Sequence, residues 1–215
     1  MKYFYSLILI FFCLLKANSQ QPDPLLSFDH LLQKKWVDSI YKSISLKEKI
    51  GQLFMPIVFS NADSVHLKET LDLVKKYKIG GLIFSKGNSE SQIKWSNIFQ
   101  SEAKIPLLIS MDAEWGVAMR LDDVLPFPWN MTLGATNDSQ LIYDIGKRIG
   151  EQSLRLGINM NFSPVLDVNT NPKNPIIGNR SFGESVEIVS KKSIAIMKGM
   201  HSANILTSWR RDGHF

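Results

Sequence analysis

Cysteine is nearly absent. Cys13 is the one cysteine in 215 residues, and it sits in an apolar run close to the start. Downstream of it no disulfide can form, and thiol catalysis and cysteine-ligated zinc are excluded. Histidine is scarce as well: the four residues His30, His66, His201 and His214 show no metal-ligand spacing and no Ser/His/Asp arrangement. The first three fall in helical or leader context and read as surface residues, and His214 lies near the end of the chain. No G-x-G-x-x-G follows the first strand candidate, which disfavours dinucleotide binding. The run LILIFFCLL is too short for the ~20 residues of a membrane span, and Lys16 ends it. With Lys2 before it and Ala17-Asn18-Ser19 after it, residues 1–19 have the form of a secretory signal peptide. A secreted or periplasmic protein is therefore expected, with no membrane association after cleavage.

An excess of charge is also lacking. The formal net charge is +5, and Lys2 and Lys16, which would leave with the signal peptide, account for two of it. The basic pairs Lys34-Lys35, Lys75-Lys76 and Lys191-Lys192 are scattered over helix-like segments and read as solvated faces, which argues against a nucleic-acid partner. What is present is 44% hydrophobic and 21% charged, the balance of a globular protein that relies on an apolar core.

Residues 20–28 (QQPDPLLSF) read as a leader or linker, and residues 29–207 as one domain. A helix is expected over residues 29–43, with Leu31, Leu32, Trp36, Ile40 and Ile44 on one face. Ser45-x-x-Glu48 is a capping box that opens a second helix. Alternation then follows: strand 53–59, helix 63–77, strand 82–84, helix 90–102, a strand from Pro106, a helix capped at 137–139 and running to Gly157, strand 158–166, helix 186–202 and strand 204–207. Short apolar strands alternating with helices call for a parallel sheet with crossover helices, as an open doubly wound sheet or a β/α barrel. In both, polar residues at strand C-terminal ends are the place to look for a site. Those ends carry Ser85-Lys86, Asp112-x-Glu114 and Asp167-Val168-Asn169.

Asp112 and Glu114 suit hydrogen bonding to paired hydroxyls, or metal coordination together with Asp122 and Asp123. A structural alternative has one of the two carboxylates cap a loop or pair with Arg120, and lets Glu114 orient Arg120 or Arg180. Trp115 beside Gly116 offers an aromatic face of the kind that packs on sugar C–H groups, or simple packing under a loop. Pro126-Phe127-Pro128-Trp129 is a rigid loop able to wall a pocket. The stretch NPIIGNRSFGE is a long connection holding one cation, Arg180. Its guanidinium suits a fork to hydroxyls or a carboxylate, or a structural ion pair with Asp167 or Glu184.

The segments KWVDSIYKSISLKEKIGQLFM, GGLIFSKGN, LLISMDAEWGVAMRL and NFSPVLDVNTNPKNPIIGNRSFGE together resemble the N-terminal domain of glycoside hydrolase family 3, in its β-N-acetylglucosaminidase branch rather than its β-glucosidase branch. The resemblance spans about residues 35–207. It implies a (β/α)8 TIM-type barrel of which about the first five β/α units are present. It implies that Asp112, Arg120 and Arg180 bind a terminal sugar, with Glu114, Trp115 and Asp167 as further substrate-binding candidates. It also implies retaining hydrolysis of a β-N-acetylglucosaminide, such as a muropeptide or chitin fragment, by an Asp nucleophile and a His acid/base. No metal or organic cofactor is implied.

The family continues after its fifth strand with Lys-His-Phe-x-Gly-His, whereas Thr207 is followed here by SWRRDGHF. Residues 208–215 are thus an atypical tail, and the nucleophile and acid/base are expected beyond Phe215. Such a segment is expected to be inactive by itself, and to be poorly stable or need a partner such as the remainder of the barrel. Three alternatives stand beside this reading: a non-catalytic sugar-binding half-barrel, a β-glucosidase-type specificity, and an unrelated metal-using α/β enzyme.

Overall fold

The computed structural model of the chain describes residues 29–209. The expected signal peptide, the leader and all but Ser208 and Trp209 of the tail lie outside these residues. The elements are α1 (His30–Ser43), α2 (Leu46–Gly51), β1 (Ile57–Phe59), α3 (Ser64–Asp72), β2 (Gly81–Lys86), α4 (Ser89–Glu102), β3 (Leu108–Met111), α5 (Asn130–Gly134), α6 (Ser139–Arg155), β4 (Met160–Asn161), α7 (Val186–Ser202) and β5 (Leu206–Thr207). All four strand pairings are parallel, and the strands lie in sequence order from β1 to β5. This is the expected β/α barrel arrangement as a five-stranded arc, with β1 and β5 at its edges.

Helix starts follow the sequence signals. Asp29, Asp63, Asn88, Asp138 and Ser185 each accept a first-turn N–H from α1, α3, α4, α6 and α7, and Ser45 with Glu48 closes the capping box of α2. Four strands are shorter than expected: β3 starts at Leu108 and β5 at Leu206, two residues late each, and β1 and β4 lose more. Leu53 and Phe54 donate to Ile50 and Gly51, finishing the α2 turn, so β1 begins at Ile57. β4 ends at Asn161 because Pro164 has no N–H for the ladder. The helix expected to run to Tyr77 is α-helical only to Asp72, and a π-helical turn over Leu73–Tyr77 ends at Lys78 in the left-handed region.

One sheet face carries Val58, Leu82, Phe84, Ile109 and Met111, which pack with Val74, Trp95 and Phe99 under the helices. On the other face Ile57 and Phe59 are exposed, and Ile83 and Leu108 are half-buried. A second core joins α6 and α7 through Ile142, Ile149, Val189, Ile196 and Met200. The two helices meet backbone to backbone: a Cβ on Gly146 would lie 2.2 Å from the Ile196 carbonyl oxygen, and one on Gly199 would lie 2.1 Å from that of Tyr143. Gly146→Ala should therefore destabilise by about 1–3 kcal/mol despite alanine's better helix propensity. A thermal melt at or above the parent's would show that the crossing is looser than this.

The apolar face of α1 is covered only towards its end, where Ile40 is half-buried and Ile44, its C-cap, is buried. No residue of α1 is buried, and Leu31, Leu32, Trp36, Val37 and Tyr41 are exposed. Beside it, an apolar groove of 930 Å³ is lined by Leu46, Phe54, Met55, Leu73, Tyr77 and Ile79. It lies where β1 and β2 begin, at the opposite end of the strands from the charged cluster described next.

Candidate functional site

β3 delivers the chain at Met111 to the loop 112–120, whose ends are tied by one side chain. Arg120 donates from Nη2 to Asp112 Oδ2 at 2.9 Å and from Nε to the Asp112 carbonyl at 3.2 Å. Gly116 turns the loop at φ 87°, and a Cβ there would meet the Phe127 ring at 2.6 Å. Ala113 is pinned from β4: Asn161 Nδ2 donates to its carbonyl at 3.0 Å, and Asn161 Oδ1 accepts from its N–H at 3.1 Å.

That pinning aims Glu114 inward, where its side chain is 0% exposed. A buried carboxylate demands a charged partner. Arg180 supplies it as a fork, Nη2 to Oε1 at 2.7 Å and Nε to Oε2 at 3.0 Å. Arg180 Nη1 also donates to the Ile176 carbonyl at 3.2 Å, and the Arg180 carbonyl accepts from Asn130 Nδ2 at 2.8 Å. The loop between β4 and α7 is thus drawn across the end of β3. Ser181 Oγ reinforces it, donating to the Asp167 carbonyl at 2.6 Å.

Asp112, Arg120, Glu114 and Arg180 are therefore brought together as two ion pairs, and half-buried Asp167 is held in the same loop system. Arg180 forks onto Glu114, one of the pairings weighed for it above. Trp115 stacks on Trp129, with ring centroids 4.0 Å apart and planes at 35°. Two buried acceptors close to this network, Asn130 Oδ1 and Asn169 Oδ1, have no protein hydrogen-bond partner.

The metal reading fails on geometry. Among the described residues no group of three His, Cys, Asp or Glu side chains converges. Asp123 instead accepts from the Ser89 N–H and hydroxyl at the start of α4, and these bonds, the hydroxyl's above all, hold its carboxyl below the usual range. Asp112 and Glu114 are engaged by arginines. The surface reading of the histidines is corrected for two of them: His66 is half-buried and accepts the Phe59 N–H at 3.2 Å, and His201 bonds the Thr207 hydroxyl at 2.8 Å.

Sequence reasoning missed Asn130 and Asn161 as parts of this assembly, and Trp129 entered only as part of a loop able to wall a pocket. Asn161 had a visible signal, an amide in the run INMNFSPVL where apolar residues were expected. Asn130 had none, because its partner lies 50 positions away.

Residues 45–215 match the glycosyl hydrolase family 3 N-terminal domain. The chain belongs to this family. Its TIM-barrel-type α/β fold is the one whose first five strands form the arc above. Among similar curated proteins, the β-hexosaminidase A of Pseudoalteromonas piscicida is 36% identical over 160 residues, 68% of this chain and 27% of that protein. The β-N-acetylglucosaminidase/β-glucosidase of Cellulomonas fimi is 28% identical over 80% of this chain and 30% of its own length. The chain thus spans under a third of the length of these two relatives. Among solved structures, the family 3 β-N-acetylglucosaminidase of Paenibacillus sp. str. FPU-7 aligns with a TM-score of 0.69 at 34% identity, over 79% of this chain and 33% of that one. The β-glucoside phosphorylase BglX bound to 2FGlc aligns with a TM-score of 0.79 at 25% identity, over 92% and 34%.

Proposed function

We propose that this chain carries the sugar-gripping part of a β-N-acetylhexosaminidase-type glycosidase, acting with retention on terminal β-linked N-acetylglucosamine. The observation that carries the reading is the double clamp at the C-terminal end of β3, Asp112 with Arg120 and Glu114 with Arg180. Ligands of β/α folds bind at that end. The side chains of Asp112, Arg120 and Arg180 are 22%, 24% and 17% exposed, enough to meet a sugar hydroxyl without leaving their partners. Glu114 has no exposed surface, so its part is to hold Arg180 rather than to touch sugar. The β-hexosaminidase and β-N-acetylglucosaminidase relatives support the choice of sugar. Muropeptide and chitin fragments belong to this substrate class.

The clamp grips and does not cut. Retaining hydrolysis needs a nucleophile at the anomeric carbon and a group that protonates the leaving oxygen. Both Glu114 oxygens are occupied by Arg180, and Asp112 is engaged by Arg120 through its carboxylate and its carbonyl. We assign the bond-breaking steps to neither. Ile57 and Phe59, exposed on edge strand β1, support the further expectation that a partner or the remainder of the barrel covers this face.

Calorimetric titration of the 215-residue chain with N-acetylglucosamine should show binding without turnover of a chromogenic N-acetylglucosaminide. Asp112→Ala should weaken that binding by about 10- to 100-fold, the loss of charged hydrogen bonds. Turnover, or affinity untouched in Asp112→Ala, would contradict the reading. A second reading, β-glucoside specificity, is favoured by the fit to the β-glucoside phosphorylase and by the dual name of the Cellulomonas fimi relative. Glucose binding more tightly than N-acetylglucosamine in the same titration would select it.

A further inference from the structure

The apolar groove where β1 and β2 begin plays no part in the sugar clamp, and it is firmly constructed. One wall is α2, with Leu46, Ile50 and, just past its end, Phe54; the other is the π-helical turn that leads through Tyr77 to Ile79. The walls are fastened to each other. Gln52 Nε2 donates to the Ile79 carbonyl at 3.3 Å, and the Gly80 N–H donates to the Phe54 carbonyl at 3.1 Å. A Cβ on Gly51 would run into the Tyr77 carbonyl, so glycine is what lets the walls approach this closely. The groove therefore exists before anything enters it, which lowers the cost of binding. Its volume of 930 Å³ falls within the roughly 300–1,000 Å³ of small-ligand sites. Leu46 is nevertheless 73% and Phe54 60% exposed, and apolar surface left open in a concavity marks a binding site.

Charge narrows the choice of ligand. The wall 73–79 (LVKKYKI) holds Lys75, Lys76 and Lys78 and no carboxylate. Lys47 Nζ, from the other wall, stands 5.1 Å from the centre of the Tyr77 ring, and Lys76 Nζ stands 5.4 Å from it. Two ammonium groups thus meet at one ring that lines the groove. Among the described residues neither has a carboxylate partner. The nearby acids are committed elsewhere: Glu48 accepts the Ser45 N–H at 2.7 Å and its hydroxyl at 2.9 Å, and Glu102 pairs with Lys75 at 2.8 Å. The ring face holds the two cations at the rim without cancelling their charge.

We infer that this groove binds a long-chain fatty-acid anion, its acyl chain lying along Leu46, Ile50 and Phe54 and its carboxylate between Lys47 and Lys76 at Tyr77. A neutral apolar ligand would leave both cations idle. Two cations at a single ring suit one compact anion rather than the spread acidic side chains of a peptide. The inference is independent of the sugar reading, since the groove and the clamp lie at opposite ends of the strands.

The test titrates laurate, below its micelle concentration, into the 215-residue chain, beside octanoate and beside dodecyltrimethylammonium, which has the same tail length and the opposite charge. Laurate should bind about tenfold more tightly than the cation, the scale of two exposed ion pairs set against two repulsions. Octanoate should bind about 100-fold more weakly than laurate, because four fewer methylenes are buried. In the double variant Lys47→Gln with Lys76→Gln the preference for laurate over the cation should disappear. In Leu46→Glu, which sets a carboxylate in the groove at an exposed position, laurate affinity should fall about tenfold. Circular dichroism checks that the variants fold, and Leu46→Glu decides if the double variant does not. Equal binding of laurate and the cation by the parent, or a preference that survives the double variant, would overturn the inference. Absence of saturable laurate binding would overturn it as well, including the case where sedimentation shows a second copy occupying the groove.

Discussion

Arg180→Met is expected to cost about 3–5 kcal/mol of folding stability, seen as a lower urea midpoint at unchanged slope. The size follows from what the substitution leaves behind. Glu114 has a side chain at 0% exposure, while Arg180 keeps 17%. Removing the guanidinium takes away the fork that engages both carboxylate oxygens in a place closed to water, and a buried carboxylate is costly without it. The reverse change is milder, because in Glu114→Gln the Arg180 side chain retains an acceptor and some solvent. The double variant Glu114→Gln with Arg180→Met should then recover much of the loss, since no charge remains buried. A loss below about 1 kcal/mol in Arg180→Met would mean that the pair behaves as a solvated surface bridge.

Asn161→Leu ranks next, at about 2–5 kcal/mol. Leucine keeps the branched four-atom skeleton of asparagine but is bulkier, so overpacking adds to the lost hydrogen bonds. Asn161 is 0% exposed and serves both backbone groups of Ala113, itself 1% exposed. The substitution leaves the buried Ala113 N–H without its acceptor, at about 1–3 kcal/mol, and leaves its carbonyl only the bond from the Gly116 N–H. It also unties the start of the loop that aims Glu114, so sugar affinity should fall together with stability. A variant that melts like its parent would show that Ala113 finds other partners.

The layout of the fold was open to reading because it is written in local patterns. Capping residues such as Asp63, Asn88, Asp138 and Ser185 act on N–H groups two or three positions away, so helix starts are visible in sequence. Strand lengths were not, because a strand ends where its partner's ladder ends. Residues 53 and 54 look as apolar as β1 but spend their N–H groups on the preceding helix. For α1 the apolar stripe was real, yet periodicity carries no information on whether a surface exists to receive it. At the site, the charged end of β3 and the cation of the long loop were both legible. Their pairing was legible only as one option among several, since Asp167 and Glu184 are nearer to Arg180 in sequence than Glu114, 66 positions away. Asp123 shows the same limit, since its carboxylate looked like a metal ligand and is committed to Ser89 on the neighbouring unit.

The central claim is that the clamp at the end of β3, and not the larger apolar groove at the other end of the strands, receives a sugar. Backbone amide shifts of the isotope-labelled chain, followed by NMR as N-acetylglucosamine is added, test it most directly. The account predicts shifts concentrated at Asp112, Ala113, Arg120 and Arg180, with Leu46, Tyr77 and Ile79 unmoved and the response gone in Asp112→Ala. Shifts centred on the groove, or no shifts at a sugar concentration that saturates related glycosidases, would contradict it.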